Sequence, residues 1–142
     1  MLNERSMKAL AGVHLDLVAV ILRAAENTAQ PFIVTEGLRT PERQRILIAD
    51  GKSRTMRSRH ITGHAVDLAV LLPEGGVSWE RRAYRFLAMS VKAAAVELGI
   101  PVEWGGEIFG ERFFDGPHFQ LPWKQYPADV PDLDPEGQVT QT

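Results

Sequence analysis

Two histidines and one aspartate carry the most chemistry in this 142-residue chain: His60, Asp67 and His118, each at or beside a β-rich run. From Ser58 to Asp67 it reads Ser-Arg-His-Ile-Thr-Gly-His-Ala-Val-Asp, which places His60 on a loop, a flexible Gly63 after it, and Asp67 among Ala65, Val66, Leu68, Ala69 and Val70. A carboxylate in such an apolar run is too costly to bury unless it is paired, hydrogen-bonded or bound to a metal. Zinc favours neutral imidazole and carboxylate oxygen, and a hydrolytic zinc site has three protein ligands and one open position. His60, Asp67 and His118 supply that set. Asp115-Gly116-Pro117 precedes His118, so a second carboxylate stands on a turn three residues before the third ligand. Zinc brings the pKa of its water towards neutrality, and a carboxylate beside it can accept the proton and hand it to a leaving amine. Asp115 is the candidate for that role, although Asp-Gly-Pro is also an ordinary turn.

His64 is a rival ligand, because His60 and His64 have the i, i+4 spacing of a helical zinc motif. That motif needs a helix and a Glu after the first His; Gly63 and the β-rich run speak against the helix, and the Glu is missing. His64 is therefore expected to line the cleft and touch substrate. His14, between Val13 and Leu15, reads as a packed or capping residue. Ser58 lies two residues before His60, so in extended chain both side chains point the same way and the hydroxyl could bond a substrate backbone. Trp104 is a candidate cleft wall, or equally a core aromatic. Gln120 shares a strand face with His118 and is placed to orient that ligand from behind.

These residues must be positioned by a small set of elements. Leu10, Val13, Leu17, Val20 and Ile21 recur at helical spacing, which predicts an amphipathic helix over 6–27 with Ser6 as cap. A strand is expected over 32–35, and a helix from Pro41 to about Asp50, capped by Thr40 and stopped by Gly51. Residues 52–59 read as a loop, 65–72 as a buried strand, and 73–76 as a turn. Ser78 then caps a long helix over 79–98 that stops at Gly99. Two short strands follow, over 102–104 and 118–121. This order predicts an α+β domain, helices packed on a small, mainly antiparallel sheet. Residues 1–121 form the single domain, and 122–142, without a periodic apolar face, are expected to be a loosely held tail.

Composition sets the outer limits. The chain is 44% hydrophobic and 24% charged, with no cysteine. That excludes a disulfide scaffold, a thiol nucleophile, an iron–sulfur cluster and any cysteine-based zinc finger. A net charge of -2 speaks against general nucleic-acid or membrane binding. Seven basic residues against two acidic ones between 39 and 59 give a local +5, however, a rim suited to an anionic substrate. The segment after Leu121 has one Lys against four acids. Asp16 interrupts the apolar stretch near the N-terminus, so neither a secretory signal nor a membrane span is expected.

Ser58-x-His60-x-x-Gly63-x-Ala65-x-Asp67, then Glu103-Trp104-Gly105-Gly106, then Asp115-x-x-His118, resembles the paired signature of the zinc peptidases that cleave bacterial peptidoglycan stem peptides. That family includes D-alanyl-D-alanine carboxypeptidases and dipeptidases and the L-alanyl-D-glutamate endopeptidases that tailed phages use as endolysins. The similarity runs from about Phe32 to Leu121. It implies the hedgehog/DD-peptidase fold, zinc on His60, Asp67 and His118, Asp115 as catalytic acid/base, and Arg39 as the group that stabilises the oxyanion. Many relatives have Glu where this chain has Gln120. The absence of an export signal favours the endolysin: a monomer made in the host cytoplasm, with no membrane anchor and no nucleic-acid partner, released to the periplasmic cell wall by a separate pore-forming protein. The expected partner is the stem peptide. The alternatives are an enzyme of D-alanyl-D-alanine specificity and a zinc-holding wall-binding module without catalysis.

Overall fold

The strand on which the molecule is built is β2 (Ala65–Leu71), whose alternation separates a core face from a site face. The computed structural model describes residues 2–53, 55 and 57–130. Around β2 the chain places α1 (Glu4–Ala9), α2 (Leu15–Asn27), β1 (Phe32–Glu36), α3 (Pro41–Ala49), β3 (Val77–Ser78), α4 (Arg81–Leu98), β4 (Glu103–Trp104), α5 (Gly105–Ile108) and β5 (His118–Gln120). The sheet runs β1-β2-β5-β4, with β3 also on β2, and every pairing is antiparallel. The α+β architecture is the one the element order predicts.

Val66, Leu68 and Val70 point to the core face and are buried with Phe32, Val34, Trp104 and Phe119 from neighbouring strands. Helices α2 and α4 cover them with Leu17, Val20, Ile21, Leu87, Val91 and Ala95. Asp67 points the other way. Its cross-strand partners are Glu36 on β1 and His118 on β5, and opposed residues of an antiparallel pair share a face. Three polar residues thus lie in a row across the sheet.

A bulge makes that row possible. Val34 pairs with Leu68 and Glu36 with Asp67, so β1 spends two steps where β2 spends one. In a regular strand Glu36 would share the core face of Val34; the extra residue rotates it to the site face.

The helix expected over 6–27 is two helices. The chain turns at Gly12, whose φ is +82°, and His14 begins α2 as its cap, with Nδ1 accepting the Asp16 N–H at 3.0 Å. The break frees the His14 N–H, which donates to the Gly63 carbonyl at 2.8 Å. Ser6 is not the cap of the first helix; Asn3 is, and the buried Ser6 hydroxyl oxygen accepts the Val34 N–H at 2.9 Å on the open edge of β1. Ser78 lies in β3, and α4 starts after Glu80. Thr40 caps α3, and Gly99 ends α4 with φ +68°, both as expected.

Gly63 joins these parts. Its φ is +77°, and a Cβ there would stand 2.6 Å from the Gly12 carbonyl oxygen. Gly63→Ala is expected to destabilise the fold by about 2 kcal/mol or more, from left-handed strain plus backbone collision. Urea unfolding would measure it, and an unchanged midpoint would show that the His60 loop is not braced against residue 12.

Beyond Leu121 the chain is tied down as far as Tyr126. Arg59, 2% exposed, donates to the carbonyls of Leu121 and Pro122 at 3.0 Å each and of Tyr126 at 2.5 Å. The Tyr126 hydroxyl donates to Asp16 at 2.6 Å. The loose tail expected from residue 122 is thus anchored through Tyr126, and residues 131–142 lie outside the described ones.

Candidate active site

The sheet row and the His60 loop bring three ligand atoms together. One nitrogen of His60, one of His118 and a carboxylate oxygen of Asp67 all lie within 4.8 Å of one another. His60 Nε2 is 3.3 Å and His118 Nδ1 3.5 Å from the same Asp67 oxygen. The far side of each ring is already committed. His60 Nδ1 donates to the Gly37 carbonyl at 2.8 Å, and His118 Nε2 donates to Gln120 Oε1 at 2.7 Å. With those nitrogens protonated, the inward nitrogens of two neutral imidazoles hold lone pairs, and they face a carboxylate that is also an acceptor. Three acceptors converging without a donor fit a cation. Burial opposes the charge on Asp67, but hydrogen bonds from His118 and His60 outweigh it and hold the carboxyl far below the usual range. For His118, burial is likewise overcome by Asp67, which raises the imidazole pKa.

Gln120 stands behind His118 on the same strand face. Its amide nitrogen donates to Glu103 at 3.1 Å, which turns Oε1 towards His118. Gln120→Leu removes that acceptor and is expected to weaken metal affinity about 10–100-fold, read by competition with a chromogenic chelator. Unchanged affinity would show that His118 is oriented by its strand alone.

Asp115 stands on the turn before β5. Its backbone N–H donates to the Gly105 carbonyl at 3.3 Å, and its carbonyl accepts the His118 N–H at 3.2 Å. A Cβ on Gly105 would lie 2.4 Å from the Asp115 carbonyl oxygen, so only glycine allows this approach. Burial, and then the charge of Asp67, raise the Asp115 pKa. It shares with the three ligands a cleft of about 800 Å³.

Arg39 lines the same cleft but is heavily engaged. It donates to both Glu36 oxygens at 2.7 and 2.8 Å and to Gln44 Oε1 at 2.7 Å, and lies 3.7 Å from Asp67 Oδ2. The ion pair holds Glu36 below its ordinary pKa. Three of the five guanidinium N–H groups are used in these bonds, leaving two. Ser58 also lines the cleft, its oxygen accepting the His60 N–H at 3.2 Å.

Two expected site residues are not brought to the cleft. Trp104 pairs with Phe119 on the core face, 7% exposed, and its indole N–H donates to the Gly116 carbonyl at 2.8 Å. It braces the Asp115 turn from behind. His64 lies outside the cleft lining, its Nδ1 2.8 Å from the Thr62 hydroxyl and its ring 5.3 Å from that of His14. Burial lowers its pKa. Sequence reasoning missed Glu36, Gln44, Glu103 and the buried Arg59. For Glu36 a signal existed, its i, i+3 spacing to Arg39 just after a strand.

An α+β domain whose open antiparallel sheet sets two imidazoles and a carboxylate in a cleft, with a further carboxylate on the adjoining turn, defines a peptidase of the DD-peptidase-like class. A model of the phage L-alanyl-D-glutamate peptidase family matches residues 1–122. The chain belongs to that family. It is 32% identical over 132 residues to the L-alanyl-D-glutamate peptidase of Escherichia phage T5, covering 84% of this chain and 96% of that protein. It is 36% identical over 111 residues to the enzyme of the same name from Listeria phage A118, covering 78% of this chain and 37% of that longer protein. The crystal structure of the Serratia marcescens L-Ala D-Glu endopeptidase ChiX superposes with a TM-score of 0.82 at 50% identity, covering 90% of this chain and 95% of that one.

Proposed function

We propose that this chain is a zinc-dependent endopeptidase that hydrolyses the L-alanyl-D-glutamate bond of the peptidoglycan stem peptide. The observation that carries it is the convergence of His60, Asp67 and His118, each ring fixed from behind so that an acceptor faces inward. Two imidazoles and one carboxylate match the ligand preference of zinc. When bound, the ion supplies Lewis-acid activation of the scissile carbonyl and of the attacking water.

The remaining work falls to the chain's own side chains. Asp115 accepts the proton of the attacking water and passes it to the leaving amine; burial raises its pKa, the direction that favours a group which must give a proton as well as take one. Arg39, kept in place by Glu36 and Gln44, directs its charge and its two uncommitted N–H groups at the carbonyl oxygen that becomes negative. Ser58, beside the ligand loop, hydrogen-bonds the substrate backbone.

No helix among the described residues is long and apolar enough to cross a membrane. We read the protein as a monomeric endolysin that reaches the wall after a pore-forming protein opens the inner membrane. Digestion of purified cell wall tests the specificity: mass spectrometry should find new C-terminal L-alanine and N-terminal D-glutamate. Release of D-alanine alone would overturn the assignment in favour of D-alanyl-D-alanine cleavage.

A further inference from the structure

Four cations among the described residues line the cleft, and two of them are already held by partners within the protein. Arg39 is held by Glu36 and Gln44, and Arg59 by three backbone carbonyls. Lys52 and Arg57 are exposed, and among the described residues neither has a carboxylate in ion-pair range. Only Arg57 is oriented. Its guanidinium carbon lies 4.3 Å from the centre of the Trp123 ring, and its backbone N–H donates to the Thr55 hydroxyl oxygen at 2.9 Å. Trp123 in turn is fixed because Arg59 stacks on the same ring at 4.1 Å while bonding the carbonyls of Leu121, Pro122 and Tyr126 around it. A planar guanidinium stacked on an indole loses little freedom when it binds, and its fork matches a carboxylate in a two-pronged pair.

The reaction proposed above supplies such a carboxylate. Glutamate has two carboxyl groups, and within a peptide only one joins the next residue, so the D-glutamyl unit keeps a free anion beside the scissile bond. We propose that Arg57, positioned by Trp123, forms a subsite for this free carboxylate on the leaving-group side and makes the enzyme selective for acidic over amidated stem peptides. On this reading the segment after Leu121 builds part of the binding site.

The inference rests on L-alanyl-D-glutamate cleavage, and its test separates the two. Two synthetic stem peptides are compared that differ only in this group, a free carboxylate in one and a carboxamide in the other. The protein is expected to favour the carboxylate peptide in kcat/KM by about tenfold or more. In Arg57→Gln that ratio should fall towards one, and added salt should reduce it in the parent protein. Trp123→Ala should lower the ratio mainly through KM, and Trp123→Phe should restore much of it. Cleavage of both peptides at equal rates would overturn the subsite and leave the reaction standing. Cleavage of neither would overturn both. A ratio unchanged in Arg57→Gln, or lost in Lys52→Gln instead, would overturn the role of Arg57.

Discussion

Asp115→Asn is expected to lower kcat/KM by about a hundredfold to ten-thousandfold, the range that a positioned acid/base contributes, while the protein keeps its full metal content. The substitution is nearly isosteric. The contacts that hold the turn are made by its backbone, to the Gly105 carbonyl and the His118 N–H, and by Trp104 on the Gly116 carbonyl, so none depends on the carboxylate. Asn cannot accept the proton that the attacking water must lose. The same carboxyl is expected to set the acid limb of the pH profile. It works as a base only when ionised, and burial together with the charge of Asp67 raises its pKa, so activity should fall on acidification at a higher pH than for an ordinary aspartate near 3.9. Hydrolysis retained in the Asn variant would refute the mechanism. It would favour a module that holds metal without catalysis.

His60→Ala and His118→Ala should each lose both the metal and the activity, whereas His64→Ala should retain both. Removing a ligand should reduce affinity by more than the roughly 10–100-fold that loss of an outer partner costs. His64 is kept apart by geometry: it faces Thr62 and the His14 ring, outside the cleft that holds the other two. Metal analysis of the three purified variants decides the matter, and equal loss in all three would mean that the ligand set is wrong. Chelation of the parent protein should abolish turnover yet leave the circular dichroism spectrum unchanged. The apolar cluster of Val66, Leu68, Val70 and Phe119 with α2 and α4 lies on the opposite face of the sheet and owes nothing to the metal.

That His60, Asp67 and His118 would converge could be read from the chain because Asp67 stands in an apolar strand where an unpartnered carboxylate is not tolerated. Gly51 and Gly99 marked helix ends for an equally local reason, since both have positive φ. The first helix misled because periodicity continues through Gly12, and the break there is favoured by the bond from the His14 N–H to the Gly63 carbonyl, forty-nine residues away. Trp104 could not be placed because β4 has two residues, too few for alternation to declare a face.

Glu36 and Arg59 show where legibility stops. Glu36 reaches the site through a one-residue bulge, a feature of the pairing between β1 and β2 and of neither strand alone. Arg59 binds three carbonyls, groups present at every position and therefore without a signature in residue types. By itself the sequence determined which chemical groups were available and where most of the helices and strands would lie, because side-chain type and local hydrophobic period are properties of the chain. Only the tertiary structure decided which ring nitrogen faces inward, which cations remain unpaired and which aromatic stands behind the site. Those depend on register and on backbone partners far apart in the chain.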